Sequence, residues 1–302
     1  MPEVSVIIPA HNAARHIGRA VRSALAQTVR DIELIVVDDC SDDDTDAVAA
    51  ATGKEAVKII RHTSNKGAAA ARNSGIHASR GRYVAFLDSD DAWHPVKLEK
   101  QLALFKGRED SLACAYCGFS TFDPATGIKT GETRPARRGN IEADLLEANC
   151  VTGGGSTALV PRPKLEKAGL FDESLGTCED WDLWLRLSRT GDFDFAPESL
   201  CDIYATPGSL SSDPLKMLAF REAMLEKHAD AYNARPRILA MRYYVLGLQS
   251  AKCGMADKAK VYFEKAKNLD EYGPLFAFKC TVHAGLLRKR PAWHAELLKR
   301  FY

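Results

Sequence analysis

The sequence predicts an α/β protein, a doubly wound sheet followed by an appended helical region. Three observations predict it. Strand-like and helix-like segments alternate four times within about the first hundred residues. The strand-like segments are apolar on both faces, as buried parallel strands are. Beyond Pro214 every segment has helical character.

Val4–Pro9 (VSVIIP) reads as the first buried strand, and Ile17, Val21, Ala24 and Leu25 then recur at helical spacing. Ile32–Val37 is a second strand, running into Asp38-Asp39-Cys40-Ser41-Asp42-Asp43-Asp44. Ser41 with Asp44 reads as a capping box that opens a helix through Ala50. Val57–Arg61 is a third strand, and Lys66–Ser79 a small-residue helix ended near Gly81. Tyr83–Leu87 (YVAFL) is a fourth strand, closing on Asp88-Ser89-Asp90-Asp91. Pro95 is placed at the first position of a helix carrying Leu98, Leu102 and Phe105. After residue 110 the pattern loosens. Leu112–Phe119 and Thr157–Val160 read as strands around a polar, Gly-rich stretch. Glu179–Arg189 reads as a helix with Trp181, Trp184 and Leu185 inward, and Ile203–Ser212 as a closing loop. Helices with breaks near Pro236, Gly254, Gly273 and Pro291 complete the chain, giving an α/β domain over 1–212 and a helical extension over 213–302.

Of the 302 residues 46% are hydrophobic and 27% charged, enough for a real core. The net charge of +1 hides an asymmetry: residues 213–302 hold 17 Lys+Arg against 9 Asp+Glu, leaving 24 against 31 before them. A basic excess of that kind suits a solvated helical surface or an approach to anionic lipid or an anionic acceptor. Leu286–Tyr302 interleaves Arg288, Lys289, Arg290, Lys299 and Arg300 with Trp293, Leu297, Leu298, Phe301 and Tyr302. That pattern fits an interfacial helix at the inner membrane leaflet, or a docked helix with a solvated basic face. Cys114 and Cys117 stand three apart on a strand, hence on opposite faces, which disfavours a redox pair and fits free thiols in a reducing compartment. No run of about 18 apolar residues spans a membrane, and the first residues enter a strand without a leader pattern. The expectation is a cytoplasmic protein, peripheral at most, with no nucleic-acid partner.

Ligands of doubly wound sheets collect beyond the carboxyl ends of the strands. That edge holds Ala10–Asn12, Asp38–Asp39 and Asp88–Asp91. Asp88-x-Asp90 has two carboxylates able to share Mn²⁺ or Mg²⁺, which prefer oxygen ligands and hold diphosphates. Such a cation offsets charge growing on a leaving diphosphate. Acidic turns after strands are commonly only solvated, and it is the position behind YVAFL that raises this one. Asp39 suits hydrogen bonds from a base edge or ribose, whereas Asp42–Asp44 suit helix capping. Glu179 and Asp180 open the helix EDWDLWLRL, where a carboxylate either caps or serves as a general base. Gly153–Gly155 point to a close backbone approach. Trp181 and Trp184 read as core, Trp93 as core or sugar platform, and the eight histidines lack metal-ligand spacing.

In order and at plausible separations, VSVIIPAHN (4–12), IVVDDCSDDDT (35–45), NKGAAAARNSG (65–75), FLDSDDAWHPVKLEKQ (86–101) and CEDWDLWLRL (178–187) resemble the motifs of family 2 glycosyltransferases. The resemblance covers roughly residues 3–212. It implies the GT-A fold, a doubly wound mixed sheet that binds nucleotide-diphospho-sugars. It implies that Pro9, Ala10 and Asn12 line the nucleotide and that Asp39 reads uracil if the donor is a UDP-sugar. Lys66 and Arg72 then lie on the donor side. Asp88, with Ser89 beside it, touches ribose or metal, and Asp90 binds Mn²⁺ or Mg²⁺. Asp180 is the implied base and Glu179 helps to place the acceptor, a glycan or lipid-linked glycan, for one inverting displacement.

Two features depart from the family pattern. Many members carry an Arg and a His in the loop after the catalytic helix, but Tyr204–Ser211 has no basic residue, so Lys66 or a C-terminal cation is the candidate substitute. The Gln/Arg-x-x-Arg-Trp signature of processive synthases is also absent. In the extension, Tyr243, Leu246, Gly247, Gly254, Ala259, Phe263 and Ala266 resemble one tetratricopeptide unit, which cannot stand alone and is expected to pack on the first domain. Rival functions fit less well. A dinucleotide oxidoreductase needs a Gly-rich turn after the first strand, and PAHNAARH has none. An aspartyl phosphotransferase wants Thr or Val two residues after Asp90. A non-catalytic nucleotide-binding scaffold using its helical tail is the alternative, opposed by the intact Asp39, Asp88, Asp90 and Asp180.

Overall fold

The computed structural model describes residues 1–204, 213–269 and 271–289. The chain divides into two compact units, Met1–Pro207 and Gly208–Tyr302. The first begins β1 (Val4–Ala10), α1 (Ile17–Leu25), β2 (Ile32–Asp38), α2 (Thr45–Gly53), β3 (Val57–Arg61), α3 (Ala68–Ala78) and β4 (Tyr83–Phe86). β1 pairs in parallel with β2 and with β4, and β2 with β3. Every residue of β1 and β4 is buried, as the unbroken apolar runs require. The register sets Ala10 opposite Asp38 and Asp38 opposite Arg61, so three strands end level. Ile7 lies opposite Phe86, which brings Asp88 out at the same edge.

The chain continues through β5 (Ala92–Trp93), α4 (Lys97–Phe105), β6 (Leu112–Phe122), β7 (Lys129–Thr133), α5 (Glu142–Glu147), a 3-10 turn Gly155–Thr157, β8 (Leu159–Pro161), α6 (Arg162–Ala168), α7 (Glu179–Leu187) and β9 (Asp192–Tyr204). Among the described residues the sheet runs β3-β2-β1-β4-β8-β6-β9-β5, with β7 on β6. It is mixed: β8 is antiparallel to β4 and β6, β9 parallel to β6, and β5 antiparallel to β9. None of the eight cysteines is in a disulfide, and Cys114 and Cys117 are both buried.

Several boundaries differ from the sequence expectation. Ser41 opens no capping box: its hydroxyl donates to Asp38, and Asp43 receives the Thr45 backbone N–H (3.1 Å) at the start of α2. The N-cap residue Asp44 makes no side-chain cap, and it is Asp43 before it that meets the first helical N–H. Pro95 sits two residues ahead of α4, because the turn Lys97 N–H to His94 C=O (3.0 Å) precedes the first helical residue. Thr157 belongs to the 3-10 turn, and strand begins at Leu159. Ile203 and Tyr204, expected in a loop, finish β9. β5, β7 and most of β9 lacked a readable pattern: β5 has two residues, β7 (KTGET) is polar and largely exposed, and β9 contains Pro197 and four acids.

The second unit is helical: α8 (Pro214–Lys227), α9 (Ala229–Asn233), α10 (Pro236–Lys252), α11 (Ala256–Asn268) and α12 (Pro274–Lys289). Asp213 caps α8 by accepting from the Leu215 backbone N–H (2.9 Å), and Pro214 and Pro236 occupy first turns. Gly254 and Gly273 take φ of +76° and +73° at the breaks the sequence marks. Phe263 packs where a side chain on Gly247 would stand, 2.6 Å from an ideal Cβ, and Leu246, Ala259 and Ala266 are buried beside it. The expected break at Pro291, the basic stretch from Arg290 to Tyr302 and loop residues 205–212 lie outside the described residues. No helix among the described residues is long and apolar enough to cross a membrane.

α3 rests on β1 through Gly75, where an added Cβ would meet Ile7 Cγ2 at 2.4 Å. Ile7 is fully buried in a parallel strand and cannot yield. Gly75→Ala is therefore expected to destabilise the first unit by about 2 kcal/mol, read as a lower melting temperature.

Candidate active site

The polar groups at the strand ends form two linked sets. In the first, β1 and β2 are stitched beyond their last residues. Asp39 N–H donates to the Ala10 carbonyl (2.8 Å), Asn12 N–H to the Ser41 hydroxyl (2.9 Å), and Asp42 N–H to Asn12 Oδ1 (2.8 Å). Asn12 has φ of +50°, a conformation its short side chain tolerates. Pro9 and Ala10 are buried beneath this stitch, and Asn12 is exposed above it. Asp39, 3% exposed, receives the Lys66 N–H (2.9 Å) on Oδ1 and the Gly67 N–H (2.7 Å) on Oδ2. His62 Nδ1 lies 2.7 Å from the same Oδ1, and its Nε2 lies 2.9 Å from the Ser74 hydroxyl. Asp39 thus fixes the entry to α3 and keeps one of its roughly four acceptor positions for a ligand. The Lys66 side chain is exposed.

The second set centres on Arg72, one turn into α3 and almost fully buried. Its Nη2 donates to Asp88 Oδ1 (2.7 Å) and its Nη1 to Glu179 Oε1. One guanidinium therefore joins the loop after β4 to the first turn of α7. Phe171 packs 5.3 Å below the guanidinium and meets Phe86 edge-on at 5.0 Å. Asn73 holds Phe171 in place, accepting its N–H and donating to its carbonyl, both at 3.0 Å. Burial works against the charge on Arg72, but the Asp88 and Glu179 carboxylates outweigh it and hold the group above its ordinary range. Asp180 is 9% exposed. Burial first, then the Glu179 carboxylate, pushes it up to about 6, against the opposing pull of Arg72 and the Trp181 N–H.

The acidic loop is held from below. The Ser156 hydroxyl accepts the Asp88 N–H (3.0 Å) and donates to Asp91 Oδ2 (2.6 Å). Burial and the charges of Asp88 and Asp90 push the Asp91 carboxyl well above the usual carboxylate range. Gly154, at φ of +62°, comes so close that an ideal Cβ would lie 3.1 Å from Asp88 Oδ2. This is the close approach that Gly153–Gly155 pointed to. Arg19 donates to the Asp90 carbonyl and lies 3.4 Å over the Tyr204 ring. A cation from α1 thus stands beside the acidic loop, where the segment after Tyr204 supplies none. Ser89, between the two acids, is partly exposed. Trp93 is core: it is 4% exposed and its indole N–H donates to the Ser156 carbonyl (2.8 Å).

The residues suit a hard divalent cation. Asp88, Glu179 and Asp180 gather around one buried guanidinium, and Asp90 and Asp91 stand beside Asp88 on the same loop. No three His, Cys, Asp or Glu side chains form a complete cage among the described residues. Mg²⁺ and Mn²⁺ need none, since they take one or two carboxylates and draw other oxygens from phosphate and water.

Of the sequence-named residues, Arg72, Asp88, Glu179 and Asp180 come together in one set. Pro9, Ala10, Asn12, Asp39 and the Lys66 backbone form the other, and α3 spans both. His62, Asn73, Arg19 and Ser156 were missed. His62 directly follows β3, so the strand-end rule applied to that strand finds it. Arg19 and Ser156 act on partners 71 and 68 residues away and carry no local signal.

The family model described as glycosyl transferase family 2 matches residues 5–169. The chain is a family 2 glycosyltransferase. Its fold is GT-A, and the family match stops ten residues before Glu179. A glycosyltransferase of Rickettsia prowazekii is 34% identical over 203 residues, 66% of this chain and 63% of that protein. The chain spans 33%, 32% and 28% of three further Rickettsia relatives. WfaP of Escherichia coli, a UDP-Glc:α-D-GlcNAc-diphosphoundecaprenol β-1,3-glucosyltransferase, is 30% identical over 82% of this chain and 94% of its own. Among solved structures, TarS 1–349 of S. aureus with UDP-GlcNAc superposes with a TM-score of 0.71, at 17% identity, over 96% of this chain and 92% of that one. A mannosyltransferase of Pyrobaculum calidifontis with GDP-Man and Mn²⁺ gives 0.59, at 17% identity, over 98% and 85%.

The buried Asp180 carboxylate should cost stability when ionised. Asp180 binds its proton more tightly folded than unfolded, so this acid favours the fold below pH 4 to 6 and opposes it above. Asp180→Asn is expected to raise stability at pH 8 by roughly 3 kcal/mol at most, a gain that shrinks as pH falls through 6 toward 4. Melting temperatures of both proteins across that range check it.

Proposed function

We propose that this transferase moves one sugar from a UDP-sugar to an acceptor hydroxyl, with inversion, in the assembly of a cell-surface polysaccharide. The observation that carries this reading is the Arg72 bridge, which ties Glu179, next to the buried Asp180, to Asp88 on the acidic loop. WfaP acts on a UDP-sugar and a diphosphoundecaprenol acceptor, and TarS holds UDP-GlcNAc. The two support a UDP donor and WfaP alone a lipid-linked glycan acceptor, which this reading puts at the inner membrane face. In this reading residues 1–212 are the catalytic domain and 213–302 an accessory extension.

The donor lies along the strand ends. Pro9, Ala10 and Asn12 line the nucleotide, and the remaining acceptor position of Asp39 takes a base or ribose donor. Lys66 and Arg72 face the donor's phosphate side. Asp90 and Asp88, with Ser89 between them, hold Mn²⁺ or Mg²⁺, which when bound supplies positive charge at the leaving diphosphate. Glu179 orients the acceptor, and Asp180 takes the proton from its hydroxyl as that oxygen attacks the anomeric carbon. A base near 6 is mostly ionised at neutral pH and still a competent acceptor. Arg72 joins the two halves of the site, so donor loop and base keep one geometry.

The test compares nucleotides and variants in one format. UDP, GDP, TDP and CDP are each added with Mn²⁺ or a chelator while thermal stability is followed, since a ligand of the native state must raise it. UDP with Mn²⁺ is expected to give the largest shift, Asp90→Asn to lose it, and Asp180→Asn to keep it. Release of UDP from a UDP-sugar in the presence of acceptor should fall at least about 100-fold in Asp180→Asn. In the wild type kcat/KM should decline about tenfold per unit below pH 6, where Asp180 is protonated. Near-normal transfer by Asp180→Asn would remove it as the base.

A further inference from the structure

Beneath the acidic loop lies a lysine that the reaction does not use. Lys97, on the first turn of α4, is 0% exposed. Its Nζ donates to Gln101 Oε1 (2.7 Å) and stands 4.1 Å from the centre of the Trp93 ring. The ionisable groups around it are the thiols of Cys114, Cys117 and Cys201, themselves pushed up by burial. No carboxylate pairs with it among the described residues. A buried amine with one neutral acceptor and one ring face costs stability that an apolar residue of the same length would not.

Both groups that Lys97 touches lead to one place. Trp93 donates its indole N–H to the Ser156 carbonyl (2.8 Å), and Gln101 donates to the carbonyls of Ala115 (2.9 Å) and Thr157 (2.8 Å). Because Lys97 takes Gln101 Oε1, the amide is oriented with its nitrogen toward those carbonyls. Two adjacent carbonyls of the 3-10 turn are thereby pinned, and the hydroxyl between them holds the Asp88 N–H and the Asp91 carboxyl. We propose that Lys97 is a positioning residue for the 88–91 loop, acting through Trp93 and Gln101 on the Ser156–Thr157 turn. Its amine sets the rotamers of the two side chains that carry the turn, and the turn sets the loop. The proposal rests on the reading of that loop as the diphosphate and metal site.

The test uses the full chain as wild type, Lys97→Met and Trp93→Phe. Methionine keeps the volume and removes the amine, at the price of leaving Gln101 Oε1 without a donor. Phenylalanine keeps a ring face for Lys97 and removes the link to Ser156. Amide hydrogen exchange is followed at Asp88, which reports the turn, and at Lys66 and Gly67, which report the separate Asp39 set. Affinity for UDP with Mn²⁺ is measured by calorimetry. Both variants are expected to exchange faster at Asp88 with Lys66 and Gly67 unchanged, and to bind UDP with Mn²⁺ at least about tenfold more weakly. Lys97→Met should melt within roughly 3 °C of wild type, since the relieved burial and the orphaned acceptor oppose each other. Unchanged exchange at Asp88 in Lys97→Met would overturn the proposal, as would equal loosening at Lys66 and Gly67. If Lys97→Met does not fold, Lys97→Leu takes its place, and unchanged exchange at Asp88 there would overturn the proposal. Failure of the wild type to bind any nucleoside diphosphate would remove the donor reading instead, and the exchange data would still decide whether Lys97 positions the loop.

Discussion

One buried guanidinium holds the site together. Arg72 is the cation between the loop that leaves β4 and the first turn of α7, two segments with no strand pairing to each other. Both segments are acidic, and without a shared cation they would repel across a low-dielectric gap. The rest follows from where α3 can place that residue. Gly75 lets the helix lie close on β1, Asp39 fixes its entry, and Asn73 locks Phe171 against the guanidinium. Fold and chemistry thus meet in one helix.

The same arrangement leaves a deliberate imbalance. Arg72 pairs with two of the site's carboxylates, Asp88 and Glu179, while Asp90, Asp91 and Asp180 stand beside them. Burial first, and the neighbouring carboxylates after it, raise the proton affinity of Asp91 and Asp180. The carboxylates of that loop are of the kind that hard divalent cations take as ligands. Among the described residues no three such side chains form a complete cage, so the other oxygens around a bound cation would come from phosphate or water.

The parallel half of the sheet was legible because buried strands need apolar runs on both faces, and β1 to β4 have them. The strand-end rule then located Asn12, Asp39, Asp88 and Asp90 from the strands alone. β5, β7 and β9 were not legible: a two-residue strand has no period, and β7 and β9 are held by pairing with β6 rather than by their own pattern. Arg72 was named through the family resemblance, and nothing in the sequence pattern linked it to Glu179, 107 residues on. Ser41 shows the limit of local rules. Its spacing to Asp44 fits a capping box, yet the nearby Asp38 carboxylate takes its hydroxyl and Asp43 meets the first helical N–H.

The most direct measurement is a carboxyl ¹³C NMR titration of Asp180 in the wild type and in Arg72→Gln, without added metal or nucleotide. A shared guanidinium that restrains a buried acid should give an Asp180 midpoint near 6 in the wild type and a higher one in the variant. A midpoint near 4 in both proteins would mean that Asp180 is neither buried beside Glu179 nor governed by Arg72, and the bridge would lose its central place.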